Sequence, residues 1–132
     1  MTEKQKQAIT QRLKRARETL AEAEILEEAH HFVGTVNRLY YACFYAVNAL
    51  LEIKGLKSSK HSGVIALFNQ HFVNAGIVEA EWGKFYRYLF DSRQGGDYTD
   101  FPDFTGEEVA KLHQSAINFV DEITRLVEKE IQ

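Results

Sequence analysis

The sequence predicts an all-α protein, an up-and-down bundle of four to five helices. Three observations predict it. Apolar residues recur at three- and four-residue steps along most of the chain, which is the period of a one-faced helix. Breakers are scarce, with one proline, Pro102, and eight glycines among 132 residues. No stretch alternates apolar and polar residues between turns, as a half-buried strand would.

The first helix is expected from about Thr2 to about Glu28. Ile9, Leu13, Ala16, Leu20, Ala23 and Leu26 make one stripe on an otherwise charged surface, and Thr2 is a suitable N-cap. The second runs from about His31 to about Ile53. Phe32, Val36, Leu39, Cys43, Val47 and Leu50 form one stripe, and Tyr40, Phe44 and Leu51 form another. Apolar on nearly all sides from Leu39 to Leu51, this helix belongs at the centre of a core, or between a core and a subunit interface. Lys54-Gly55 closes it.

A third helix is expected to open at Ser58 or Ser59, to carry Val64, Leu67, Phe68 and Phe72, and to end near Asn74-Ala75-Gly76. The fourth runs from about Val78 to about Ser92, with Trp82, Phe85, Tyr86, Leu89 and Phe90 on a broad face. Gly95-Gly96 ends it. The fifth opens at Thr105, where Thr105 and Glu108 match a capping box, and continues to the end. The helices are expected to run mostly antiparallel.

Length and composition bound the rest. The 132 residues fit one domain, residues 1–132, whose core needs neither disulfide nor metal. Net charge is −3 and the isoelectric point is near 5.9, so no field of the whole molecule draws in a polyanion; any phosphate contact must be local. The single cysteine, Cys43, lies in an apolar run and reads as a buried structural thiol. The polar N-terminus is unlike a signal peptide, and Leu39–Leu51 is too short to span a bilayer. A cytoplasmic protein without membrane attachment is expected.

Most motifs that carry chemistry are missing. His30 and His31 are adjacent and point apart on a helix, and no His-x-x-x-His or Glu-x-x-His set has a partner, so neither metal nor cofactor is expected. There is no phosphate-binding loop, dinucleotide glycine fingerprint or nucleophile elbow.

The break Arg93-Gln94-Gly95-Gly96-Asp97-Tyr98 stands out. Gly95 and Gly96 free the backbone to turn sharply and approach a ligand. Arg93, exposed amides, Asp97 and Tyr98 on one tight loop suit a phosphate or a ribose. The alternative is a plain C-cap, with Arg93 paired to Asp97 or Asp91 and Tyr98 packed on the bundle. Asn37 and Arg38 form a second polar pair before Tyr40-Tyr41, either beside that loop or as a solvated turn. Lys60-His61 heads the third helix. A His there tends to be neutral, because the positive end of the helix dipole opposes its charge. It either hydrogen-bonds across the bundle or lies on the surface.

The ordered set of these pieces resembles a known family. Asn37-Arg38-Leu39-Tyr40-Tyr41-Ala42-Cys43-Phe44-Tyr45 is similar to the second helix of HEPN domains (higher eukaryotes and prokaryotes nucleotide-binding), nearest to the small stand-alone UPF0332 group. Lys60-His61-Ser62-Gly63 with Phe68 and Phe72, then Arg93-x-x-x-Asp97-Tyr98, then Glu108-Val109-Ala110 with Ala116 and Phe119-Val120 continue the likeness in order along the chain.

The resemblance implies a HEPN-like bundle that forms a homodimer, the Arg-bearing loops facing each other across a cleft. It implies RNA or nucleotide as ligand, and a minimal nucleotidyltransferase as partner, sometimes as toxin and antitoxin. Many HEPN proteins are metal-independent ribonucleases with an Arg-x4-6-His motif, where Arg holds the phosphate and His transfers protons. Arg93 and Asp97 are the catalytic candidates on that basis, with Gly95, Gly96, Tyr98, Asn37, Arg38, Lys60 and His61 as binding candidates. Tyr98 is also a candidate for modification, since in some HEPN pairs a Tyr just past the catalytic His accepts a nucleotide.

This sequence departs from the ribonuclease pattern. No Arg is followed by a His at the required spacing, and the equivalent region after Arg93 holds Asp97. A carboxylate with an ordinary pKa of about 3.9 accepts a proton but hardly donates one at pH 7. Losing one proton-transfer group costs about 10²–10⁴-fold in rate. His61 substitutes only where the fold brings it within reach.

Overall fold

A computed structural model describes residues 1–93 and 103–131. Among them are five α-helices: α1 (Glu3–Glu28), α2 (Phe32–Ile53), α3 (His61–Phe68), α4 (Ala80–Ser92) and α5 (Gly106–Ile131). The bundle is all-helical, as expected. No helix among the described residues is long and apolar enough to cross a membrane.

Local chemistry sets the boundaries. At the start of α1, the Gln5 N–H donates to Thr2 Oγ1 and the Thr2 N–H donates to Gln5 Oε1. Thr105 and Glu108 make the same reciprocal pair before α5, each bond 3.1 Å. α2 ends in a Schellman turn: Leu56 N–H reaches Leu51 O, Gly55 N–H reaches Glu52 O, and Gly55 sits at φ 67°. α1 ends the same way, but its left-handed residue is His30, at φ 60°.

The third and fourth helices start later than the sequence suggests. Ser58 does not cap α3. Its hydroxyl accepts the Lys60 N–H at 3.2 Å and makes a turn ahead of the helix, so α3 begins at His61. Gly63 makes room for that turn, since a Cβ there would lie 2.0 Å from Ser58 Oγ. After Phe68 the chain widens into a π-turn, Asn69–Val73, before Gly76. Val78 is a buried plug ahead of α4, not its first residue.

α1 and α2 form an antiparallel hairpin packed through small residues. Ala16 and Ala23 of α1 and Ala42, Ala46 and Ala49 of α2 are all fully buried. Arg17 pairs with Asp121, and Glu27 with His113. Positions along α1 and α5 thus match in inverse order, and α5 runs antiparallel to α1. It therefore runs parallel to α2, within a bundle expected to be mostly antiparallel. The physical reason is the return path: α3 and α4 carry the chain back to the end where α2 began. At the centre Phe119 meets Phe68, Trp82, Phe85 and Tyr86, at centroid distances of 5.6–6.1 Å.

Candidate functional site

Three elements converge near the first half of α2. That helix contributes Tyr40, Tyr41 and Phe44, neighbours at three- and four-residue steps. α3 contributes its first residue, His61. α4 contributes Phe90 and, one step past its end, Arg93.

Tyr40 is the hub. Its ring is fully buried and stacks on Tyr86 at 5.7 Å with an interplanar angle of 4°. Its hydroxyl lies 2.6 Å from His61 Nδ1. Burial pushes its pKa up to about 12, so the phenol keeps its proton through the physiological range. The Arg93 guanidinium carbon lies 5.1 Å from the Tyr40 ring centre and 4.8 Å from that of Phe90. Arg93 Nη1 donates to the Tyr41 hydroxyl at 3.4 Å.

His61 is packed by Phe44 at 4.7 Å, and its ring also meets Tyr41 and Phe90. Burial, and then the charge of Arg93, lower its pKa below the ordinary value. Neutral His61 and cationic Arg93 thus share one buried tyrosine. Such a cluster can hold an anion, through a guanidinium of fixed plane and an imidazole of fixed orientation.

The family now has independent support. The sequence profile described as HEPN domain matches residues 9–130. This chain belongs to the HEPN family. It is 47% identical over 115 residues to a UPF0332 protein of Thermotoga maritima, covering 87% of each chain. It is 38% identical to a protein of Methanocaldococcus jannaschii named as a candidate toxin, covering 86% of this chain and 84% of the other. A second candidate toxin of that organism is 28% identical over 96% of this chain and 86% of its own.

In this HEPN bundle the sequence-predicted residues divide into four groups. Arg93 and His61 come together through Tyr40. Arg38 flanks them, its guanidinium carbon 5.1 Å from the Tyr41 ring centre, with Nη2 donating to Asn37 Oδ1 and Nη1 3.5 Å from Glu22. Lys60 is exposed, and its backbone N–H serves the Ser58 turn. Gly95, Gly96, Asp97 and Tyr98 lie outside the described residues.

Two readings from the sequence are narrowed, while the pairing of Arg93 with Asp97 lies outside the described residues. Asp91 does not pair with Arg93; it takes Arg87 at 3.2 Å, one helical turn back. His61 reaches across the bundle and is not a plain surface residue. Cys43 is fully buried, and burial pushes its thiol pKa far up, so it is no nucleophile. Tyr40, Tyr41, Phe44 and Phe90 were not singled out as site residues. Their signal was the four-residue spacing of Tyr40 and Phe44, matched by Tyr86 and Phe90.

Proposed function

We propose that this HEPN chain is a phosphate-reading module for RNA or a nucleotide, acting as a toxin component beside a minimal nucleotidyltransferase. The observation that carries the reading is Arg93 in its aromatic clamp. Phe90 and Tyr40 lie 4.8 and 5.1 Å from its guanidinium, and Tyr41 takes one of its N–H groups. A guanidinium held in one plane loses less freedom when it grips a phosphate. The relatives named as candidate toxins support the toxin part. The nucleotidyltransferase partner follows from the family resemblance. The homodimer draws on the partly exposed aromatic face of α2, Tyr41, Phe44 and Tyr45, which borders the cluster. Asn37, Arg38 and Lys60 are the flanking binding residues of this proposal, with Gly95, Gly96, Asp97 and Tyr98 as its further candidates and Tyr98 its modification point.

A second reading, a metal-independent endoribonuclease, is favoured by one observation. His61 shares Tyr40 with Arg93, so an imidazole stands near the clamp although none follows Arg93 at the motif spacing. Purified protein with structured RNA and no added metal separates the two readings. Binding without cleavage, lost in Arg93→Ala, is the expected result. Cleavage that disappears in Arg93→Ala establishes the enzyme. RNA binding unchanged by Arg93→Ala sinks both.

A further inference from the structure

We propose that Tyr40 is a positioning residue that holds His61 as a neutral donor through Nε2, making it the second phosphate-binding group beside Arg93. This rests on the phosphate-site reading of Arg93.

The argument turns on which atom donates in the 2.6 Å contact between Tyr40 and His61 Nδ1. Either the phenol donates to the imidazole, or the imidazole donates to the phenol. In the second case the phenol hydrogen can turn only to the neighbouring Tyr86 hydroxyl, which leaves the hydrogen of that buried hydroxyl without an acceptor among the described residues. Tyr40 is fully buried, so water does not supply one easily. A buried hydroxyl hydrogen left unpartnered is the rarer and costlier arrangement. The phenol therefore donates.

The direction of that bond fixes the rest. A neutral imidazole carries one N–H, and Nδ1 is occupied as acceptor, so the hydrogen sits on Nε2. The charge state agrees. Burial and Arg93 both oppose protonation of His61, and a protonated ring would turn Nδ1–H against the Tyr40 hydroxyl. The packing agrees too, because Phe44, Tyr41 and Phe90 hold the ring plane. Nε2 makes no hydrogen bond to any other described residue.

The site then offers a phosphate one full charge, from Arg93, and one neutral donor, from His61. In this tautomer His61 has no lone pair on Nε2 to take a ribose proton. The pair is built to grip a phosphodiester and not to cut it.

Nitrogen NMR of the His61 ring in the wild-type protein tests the tautomer without any substitution. An unprotonated Nδ1 and a protonated Nε2 are expected, with Tyr40→Phe shifting the ring towards a mixture. Titrations with a short single-stranded RNA and with inorganic phosphate then test the role. His61→Leu is expected to weaken both by about tenfold or more. His61→Gln, whose amide replaces the Nε2–H, is expected to stay within a few-fold of wild type. A protonated Nδ1 in the wild type, or wild-type affinity in His61→Leu, overturns the proposal. So does a His61→Leu effect on RNA with none on phosphate. Wild-type affinity in Arg93→Ala instead overturns the phosphate-site reading itself. A loss in Arg93→Ala together with a protonated Nδ1 overturns only the role given to Tyr40 and His61.

Discussion

Replacing Arg93 with Ala perturbs two things at once, and the geometry separates them. The first is stability. Arg93 lies over two rings, 4.8 Å from Phe90 and 5.1 Å from Tyr40. Each cation–π contact at a partly exposed site is worth about 0.5–1 kcal/mol, so their loss costs roughly 1–2 kcal/mol. For a chain of 132 residues the entropy of unfolding is about 0.28 kcal/mol/K, and Tm falls by roughly 4–7 °C.

The second effect is on His61. Its folded pKa lies below the ordinary value because of burial first and the Arg93 charge second. The fold prefers neutral His61. That stabilisation is complete above the unfolded pKa of about 6.5 and is lost as pH falls through 6.5 towards the depressed folded value. Removing Arg93 raises the folded pKa and shrinks the acid penalty. Wild type and Arg93→Ala should therefore differ more in Tm at pH 8 than at pH 5. Thermal unfolding by circular dichroism at both pH values, with an NMR titration of His61, measures this. An equal Tm gap at the two pH values, or an unchanged His61 titration, refutes the reasoning.

Two further substitutions test the frame. Phe119→Ala removes a fully buried ring that meets Phe68, Trp82, Phe85 and Tyr86, and should cost about 3–5 kcal/mol in urea unfolding; a loss below 1 kcal/mol contradicts a shared aromatic centre. His30→Gly relieves a left-handed residue at φ 60° in the α1 C-cap and should stabilise by roughly 1 kcal/mol. A fall in Tm would mean that the stack of His30 on Phe32, at 5.5 Å, outweighs the strain.

The long helices were legible because each carries its own instructions. α1 and α5 show a stripe of fixed period and a Thr cap with a glutamine or glutamate three residues on, and both caps form. α2 shows an apolar surface on nearly all sides and a Gly at the turn that needs it. The stretch between them was less legible, because its boundaries depend on tertiary partners. Whether Ser58 caps a helix or closes a turn depends on the space above Gly63. The π-turn at Asn69–Val73 has no local signature; Gly83 of α4 packs against its Asn69 and Val73. The parallel run of α2 and α5 likewise follows from the return path through α3 and α4.

The site divides along the same line. Arg93 was legible as a charge at the end of an aromatic helix. Its partner was not, because the sequence places Tyr98, Thr99 and Asp100, and no histidine, at the spacing where an Arg-x4-6-His motif would put one. His61 lies 32 positions earlier in the chain. Only the packing of α3 against α2 brings it to the same tyrosine. A motif search looks for chemistry at fixed sequence spacing, whereas a helical bundle assembles it from the ends of separate helices. The functional weight of a histidine is then set by what its other nitrogen touches. Here that is a buried phenol beside a second buried phenol that needs an acceptor of its own, which makes His61 a donor before any ligand arrives. An imidazole near an arginine is therefore not enough to infer ribonuclease chemistry in this chain, since the hydrogen bond behind it points towards binding.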